Sequence, residues 1–198
     1  MSFLELVRSR RSIRRYTADP LPQEQLVALL EAAIHAPSAH NRQPWRFAVI
    51  TTPEMRERLA VAMGAKLRTD LMRDGATPEL IEKDTARSYS RITGAAALIV
   101  VCLSLIDMDH YPDPIRAHHE YLMAAQSTAM AAQNILLAAH EAGLGACWMC
   151  APLFCPETVC ETLGLPADWQ PQALLTVGYP AEEKTKPRFP VESRTLWK

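Results

Sequence analysis

Residues 8–15 read Arg-Ser-Arg-Arg-Ser-Ile-Arg-Arg, five arginines in eight positions of a chain whose formal net charge is −1. Cations at that density repel one another unless an anion sits among them. The guanidinium fork is matched to phosphate oxygens, and Ser9 and Ser12 add hydroxyl donors. A solvated basic turn or a nucleic-acid patch are the other readings of such a run. Ile13 argues for the anion, because an apolar residue in the middle of the run implies that the segment is packed.

A second candidate lies at Ala36-Pro37-Ser38-Ala39-His40-Asn41-Arg42-Gln43-Pro44-Trp45. Two prolines restrict the loop, while Ser38, His40, Asn41 and Gln43 offer neutral donors and acceptors. That make-up suits a heterocycle or polyol better than a charge; an ordinary turn is the alternative. The four thiols Cys147, Cys150, Cys155 and Cys160 admit a redox pair or a metal cluster, but their separations match neither zinc ribbons nor ferredoxin runs, so they are expected to be buried structural cysteines. His118 and His119 are adjacent and point to different faces of any helix, with no partner four residues on, so no metal site is expected.

These groups need elements to hold them. Apolar spacing predicts a short helix over 3–10 and another beginning after Pro22 and ending before Pro37. A strand is expected at 46–51, a helix from Pro53 through Met63, two exposed helical pieces in 65–90, and a strand at 95–103 buried on both faces. From Ala117 to Ala142 there is neither glycine nor proline, nine residues are alanine, and only Glu120 and Glu141 are charged. This predicts a central helix about 39 Å long, approached closely from several sides. Short strands at 146–150 and 173–177 flank a helix near 157–163. The whole reads as one α+β domain over 1–198 with a mixed central sheet, and the proline-rich segment 180–198 as an extended C-terminal arm.

Composition narrows the function classes. With 21 basic and 22 acidic residues the chain lacks the field that nucleic-acid or anionic-membrane binding requires. Neither G-x-G-x-x-G nor a Walker loop occurs. No apolar run reaches the length of a membrane span. An odd number of cysteines without a leader peptide fits a reducing, cytoplasmic setting.

Four segments in order, Arg10-Arg11-Ser12-Ile13-Arg14, Pro37-Ser38-x-x-Asn41-x-Gln43-Pro44-Trp45, Gly143-Leu144-Gly145-x-Cys147-Trp148 and Lys186-Pro187-Arg188, together resemble the nitroreductase-type flavin enzymes. The resemblance implies a homodimer with two FMN sites at its interface, and an NADH- or NADPH-dependent oxidoreductase that passes hydride in two half-reactions through flavin N5 to a small planar acceptor. It places Arg10, Arg11, Ser12 and Arg14 on the phosphate, ribityl chain and pyrimidine edge, and Lys186 and Arg188 on the phosphate. Ser38, Asn41 and Gln43 come from the partner subunit, and backbone N–H groups near Cys150 and Ala151 face N5 and O4. No side chain is then needed as nucleophile or metal ligand. Reduced flavin is negative near N1 and O2, so a cation there, with Arg14 the candidate, favours reduction.

Asp70-Leu71-x-x-Asp74-Gly75, His110-Tyr111-Pro112-Asp113, Gly145-Ala146-Cys147-Trp148 and Phe154-Cys155-Pro156 followed by Leu165-Pro166-Ala167-Asp168-Trp169 resemble more narrowly the C-terminal reductase domain of the bifunctional enzyme that completes a deazaflavin coenzyme. There the flavin domain follows a ligase domain that this chain lacks. A flavin- or deazaflavin-binding protein without turnover is the rival expectation.

Overall fold

A computed structural model describes residues 1–198. The chain runs α1 (Phe3–Ser9), α2 (Gln23–Ile34), β1 (Trp45–Ile50), α3 (Pro53–Arg73), α4 (Pro78–Thr93), β2 (Ala97–Leu103), α5 (Pro114–Glu141), β3 (Gly145–Met149), α6 (Pro156–Leu163) and β4 (Gln170–Gly178). One-turn 3₁₀ helices occupy Ala39–Asn41, Ala151–Phe154 and Val191–Arg194. The fold is α+β: a four-stranded sheet in the order β1-β2-β4-β3 with helices on both faces.

Local chemistry sets the helix ends. Ser2 and Glu5 form a reciprocal capping box on α1, with Glu5 N–H donating to Ser2 Oγ and Ser2 N–H to Glu5 Oε2. Asp113 caps α5 by accepting from Arg116 N–H at 2.9 Å, ahead of Pro114 in the first helical position. α3 continues ten residues past Met63, the end expected from apolar spacing. Its extension keeps a narrow apolar row, the half-buried Leu67 and Leu71 following Leu59 and Met63 at four-residue spacing, and carries charges that pair within the helix, Lys66 and Arg73 both with Asp70.

Every neighbouring pair of strands is antiparallel. The parallel pairing of a mixed sheet survives only as the isolated bridge between Ser12 and Ala146. Connectivity supplies the reason. β1 and β2 are joined by the antiparallel helices α3 and α4, which carry the chain out and back, so β2 starts at the end where β1 stopped. β2 and β3, joined through the single helix α5, do run in the same direction, but β4 inserts between them.

The core has two sides. Ile99 and Val101 of β2 point with Leu175 and Val177 of β4 toward α2 and α5, meeting Leu29, Ala33, Ala131 and Ile135. Leu98, Val100 and Cys102 point the other way with Leu174, toward Leu59 and Met63 of α3, Ile92 of α4 and Val159 of α6. All seven β2 residues are fully buried, as a continuous apolar run between two helical layers requires. α5 buries Ala124, Ser127, Ala131, Ile135 and Ala139 on one side only. Its outward face, with Leu122, Ala129 and Met130, stays exposed in the single chain instead of being enclosed all round.

β3 is an edge strand bridged at Ala146 by Ser12, and residues 15–17 pair beyond it with 179–181, past the end of β4. Ile13 N–H donates to Ala146 O at 3.1 Å, Thr17 N–H to Tyr179 O at 2.9 Å, and Ala181 N–H to Arg15 O at 3.0 Å. Gly145 and Gly178 face each other across β3 and β4. A Cβ on Gly145 would stand 2.7 Å from Ile13 Cγ2, and one on Gly178 would stand 3.0 Å from the Tyr16 ring. Tyr16 is anchored further through its hydroxyl, which lies 2.7 Å from Thr176 Oγ1 and 2.5 Å from Ile13 O.

Gly145→Ala or Gly178→Ala should therefore lift this segment off the sheet and destabilise the fold by about 1–3 kcal/mol. Tyr16→Phe, which leaves the space filled, should cost about 1 kcal/mol. Urea unfolding of the three variants checks the order, and an alanine variant as stable as the parent would show that the close approach is not needed.

Candidate functional site

The segment bridged to β3 carries Arg10 and Arg11 half-buried and Arg14 exposed, and the tail returns over them. Arg14 N–H donates to Glu182 Oε1 at 2.8 Å, and Lys184 pairs with the other oxygen of the same carboxylate at 3.0 Å. Residues 184–188 then close a cavity of about 280 Å³ lined by Arg10, Arg11, Ser12, Arg14, Lys184, Thr185, Lys186 and Arg188, with no apolar residue. Only Lys184 of these six cations is in an ion pair. Burial, followed by the Arg188 and Arg11 charges, pushes the Arg10 guanidinium below its usual range. The cavity is an assembly of six cations with one carboxylate, Glu182, at its edge.

Arg11 builds its floor. Nη1 donates to Arg8 O at 2.6 Å and Arg10 O at 2.7 Å, and Nη2 to Lys186 O at 3.4 Å, so one side chain ties the amino-terminal segment to the tail. Its Nε is buried without an acceptor. A buried charged donor left over in this way costs about 1–3 kcal/mol or more. A polyanion entering the cavity offsets both that cost and the mutual repulsion. The larger cavity of about 550 Å³, between Tyr16–Pro20, Arg56 and Thr93–Ala96, collects a single cation and no comparable chemistry.

Ser38, Asn41 and Gln43 lie elsewhere. Ala39 N–H donates to Ser127 Oγ midway along α5, whereas Ser9 Oγ meets His140 Nε2 at 2.8 Å near its end. Thirteen residues of helix separate those contacts, about 20 Å. The single chain thus does not bring the polar loop to the arginine cavity. The loop itself is strained: His40, Asn41 and Gln43 have φ of 49°, 54° and 50°. Left-handed backbone costs about 1–3 kcal/mol per residue without compensation, and such residues cluster where a ligand is held. Ser38 Oγ accepts from Gln43 N–H at 3.1 Å, and Gln43 Nε2 donates to Asn41 Oδ1 at 3.3 Å.

Cys150 and Ala151 follow β3, where Cys150 is about four residues, or ~13 Å of strand, beyond the Ser12 bridge. The Cys150 N–H has no acceptor within the chain. Two of the four thiols depart from the expectation that all are buried: Cys160 is only half-buried on the short helix α6, and Cys150 is exposed because it stands past the strand end, its Sγ accepting from Trp148 Nε1 at 3.1 Å. Cys147 is buried in β3, and burial raises its pKa although Arg14, Arg91 and Arg10 pull the other way. No three His, Cys, Asp or Glu side chains converge as metal ligands. No helix is long and apolar enough to cross a membrane.

Lys184 and Thr185 went unrecognised at the level of sequence. The signal was present: Lys184, Lys186 and Arg188 alternate in a segment without helix, which puts all three on one side of an extended chain.

The sequence model of the Nitroreductase family matches residues 7–179. An NADH dehydrogenase of Thermus thermophilus is 32% identical over 214 residues, covering 96% of this chain and 92% of its own. A Desulfovibrio desulfuricans protein crystallised in complex with FMN superposes with a TM-score of 0.76 at 30% identity, covering 98% of this chain and 95% of that one. The NADPH:FMN oxidoreductase of Vibrio harveyi, crystallised with NAD⁺, gives 0.73 at 25% identity over 98% of this chain and 76% of the longer relative.

Two measurements test the electrostatics. Burial first, then Arg10 and Arg11, hold the His140 pKa below its ordinary value. The unfolded chain therefore binds this proton more readily, so stability is full above about pH 6.5 and declines as pH falls from there toward the lower native value. Thermal melts from pH 8 to pH 5 should show this decline, reduced in His140→Asn and by added pyrophosphate; identical curves would remove His140 from the field of the arginines. Among the thiols, burial pushes Cys102 up to about 12 and Cys155 up to about 11. Iodoacetamide at about pH 8 should label the exposed Cys150 first, and Cys150→Ser should lose the fast phase.

Proposed function

The chain belongs to the nitroreductase family, and on that premise we propose that it binds FMN and works as an NADH- or NADPH-dependent oxidoreductase on a small planar electron acceptor. The observation that carries the reading is the convergence of Arg10, Arg11, Arg14, Lys184, Lys186 and Arg188 from the two ends of the chain around one cavity, with Lys184 alone of the six in an ion pair. The unpartnered Arg11 Nε fits a phosphate oxygen there. The FMN of the Desulfovibrio desulfuricans relative and the nicotinamide of the Vibrio harveyi relative support the pairing of cofactor and donor.

When bound, FMN supplies two-electron transfer between a nicotinamide and the acceptor. The residues of the chain do the rest. Arg10, Arg11, Ser12, Lys186 and Arg188, with Lys184 and Thr185, hold the phosphate as charge-assisted donors. Arg14, whose guanidinium also lies close enough to Cys147 to influence the thiol, holds positive charge at the pyrimidine edge and so favours the reduced state. The Cys150 and Ala151 N–H groups orient the far edge of the ring.

Ser38, Asn41 and Gln43 serve the site of a second copy. About 20 Å of α5 separates them from their own cavity. The outward face of α5 and the exposed Phe189, Val191, Leu196 and Trp197 of the arm provide apolar surface for a homodimer. The arm, 180–198, is an extension of the single domain 1–198 that embraces the neighbour. A deazaflavin is the narrower reading of the acceptor, resting on the Asp70, His110, Phe154 and Leu165 motifs.

The purified protein should be yellow and should bleach anaerobically with NADH or NADPH. Stopped-flow reoxidation against a nitroaromatic, a quinone and a deazaflavin then ranks the acceptors. Arg10→Glu with Arg14→Glu should abolish the colour, and Cys147→Ser with Cys150→Ser should retain it. Flavin that is bound but reduced by neither nicotinamide would mark a carrier without turnover, and a preparation that stays colourless with FMN supplied would end the flavin reading.

A further inference from the structure

The polar loop combines three left-handed residues with Arg42, and a second arginine, Arg46, follows it as the second residue of β1. Both arginines are met by carboxylates from one distant segment. Arg42 pairs with Asp109. Arg46 Nη2 donates to Asp107 Oδ2 at 2.9 Å, while its Nη1 donates to Gln43 O at 3.1 Å and Trp45 O at 2.9 Å. One guanidinium therefore connects Asp107 to the carbonyl of a residue at φ 50°. Ser104 N–H completes the clamp by donating to Pro44 O at 2.8 Å.

We infer that Asp107 and Asp109 are positioning residues for the flavin-facing loop: acting through Arg46 and Arg42, they lock its left-handed backbone and neutralise the two cations, so that Asn41 and Gln43 present uncharged groups to the FMN held by the partner subunit. The inference rests on the proposed FMN reading and adds to it the segment that governs the loop. Its chemistry is consistent with a heterocycle. A free guanidinium beside Asn41 would offer a competing charge to any anion nearby, whereas a paired one leaves the amides as the available contacts. Both pairs are partly exposed, with side-chain exposures of 42% and 39% for Arg42 and Asp109 and 25% and 57% for Arg46 and Asp107. Such pairs add little to global stability. Their effect is expected on the loop and not on the fold.

The test uses the full chain carrying Asp107→Asn and Asp109→Asn. FMN affinity, read by quenching of flavin fluorescence, should weaken about threefold in each single variant and about tenfold in the double variant, with melting temperatures close to the parent. Asp107→Glu should recover most of the affinity, because it restores the charge to Arg46. In the apoprotein, Asp109→Asn should speed tryptic cleavage between Arg42 and Gln43 about threefold or more, as the freed arginine leaves its clamp. Unchanged FMN affinity in the double variant, with the parent binding normally, overturns the inference. A parent that binds no FMN ends the flavin reading instead, and the clamp then stands or falls on the Arg42–Gln43 cleavage rate alone.

Discussion

Two hydrogen atoms where side chains would stand decide how the arginine segment can sit. Gly145 and Gly178 form a facing pair at the end of β3 and β4, and the Ile13 side chain and the Tyr16 ring occupy the space their missing methyl groups leave. That contact fixes the height of residues 10–16 above the sheet, and the backbone bonds to Ala146, Tyr179 and Ala181 fix their direction. Ile13 turns inward on Gly145, and the tail is stitched along the arginines beside it through Glu182. The cationic cavity is thus a consequence of steric allowance in the sheet as much as of the charges themselves.

The opposing forces are easy to rank. Bringing five unpaired cations together is unfavourable, and the net charge of −1 offers no general field to relieve it. Apolar contact at Ile13 and Tyr16, the sheet-edge hydrogen bonds and the three backbone acceptors of Arg11 hold the arrangement in the absence of an anion. The repulsion is then available to be released on binding, which is how a preorganised site gains affinity. The polar loop follows the same logic with different means, since its strained backbone is stabilised by neighbouring segments and so presented ready-made.

Much of this was legible in the residues. β2 had to be buried on both faces because its apolar run has no alternation, and α2 announced itself by Leu26, Leu29 and Ala33. The arginine segment was recognisable from charge density together with Ile13. Strand direction was not, because it depends on whether the intervening helices return the chain to the end it left, and no strand carries that in its own side chains. The second half of α3 was hard to read because its apolar row narrows to the half-buried Leu67 and Leu71, while pairing of Lys66 and Arg73 with Asp70 supports the surface. Asp107 and Asp109 could not be connected to Arg46 and Arg42 from spacing, since sixty or more residues separate each pair. The exposure of Cys150 turned on where β3 stops, a boundary of one residue.

The seating of residues 12–17 also has a colloidal side. β3 is an outer strand, and the first part of its open ladder of N–H and C=O groups is occupied by the Ser12 bridge and the Ile13 bond to Ala146. An unshielded edge of that kind is a template on which further chains can add. The segment that gathers the cations therefore doubles as a guard against self-association. A chain in which it detaches would meet its own copies through that end of the sheet, so that turbidity would accompany the opening of the cationic cavity before the core itself had melted.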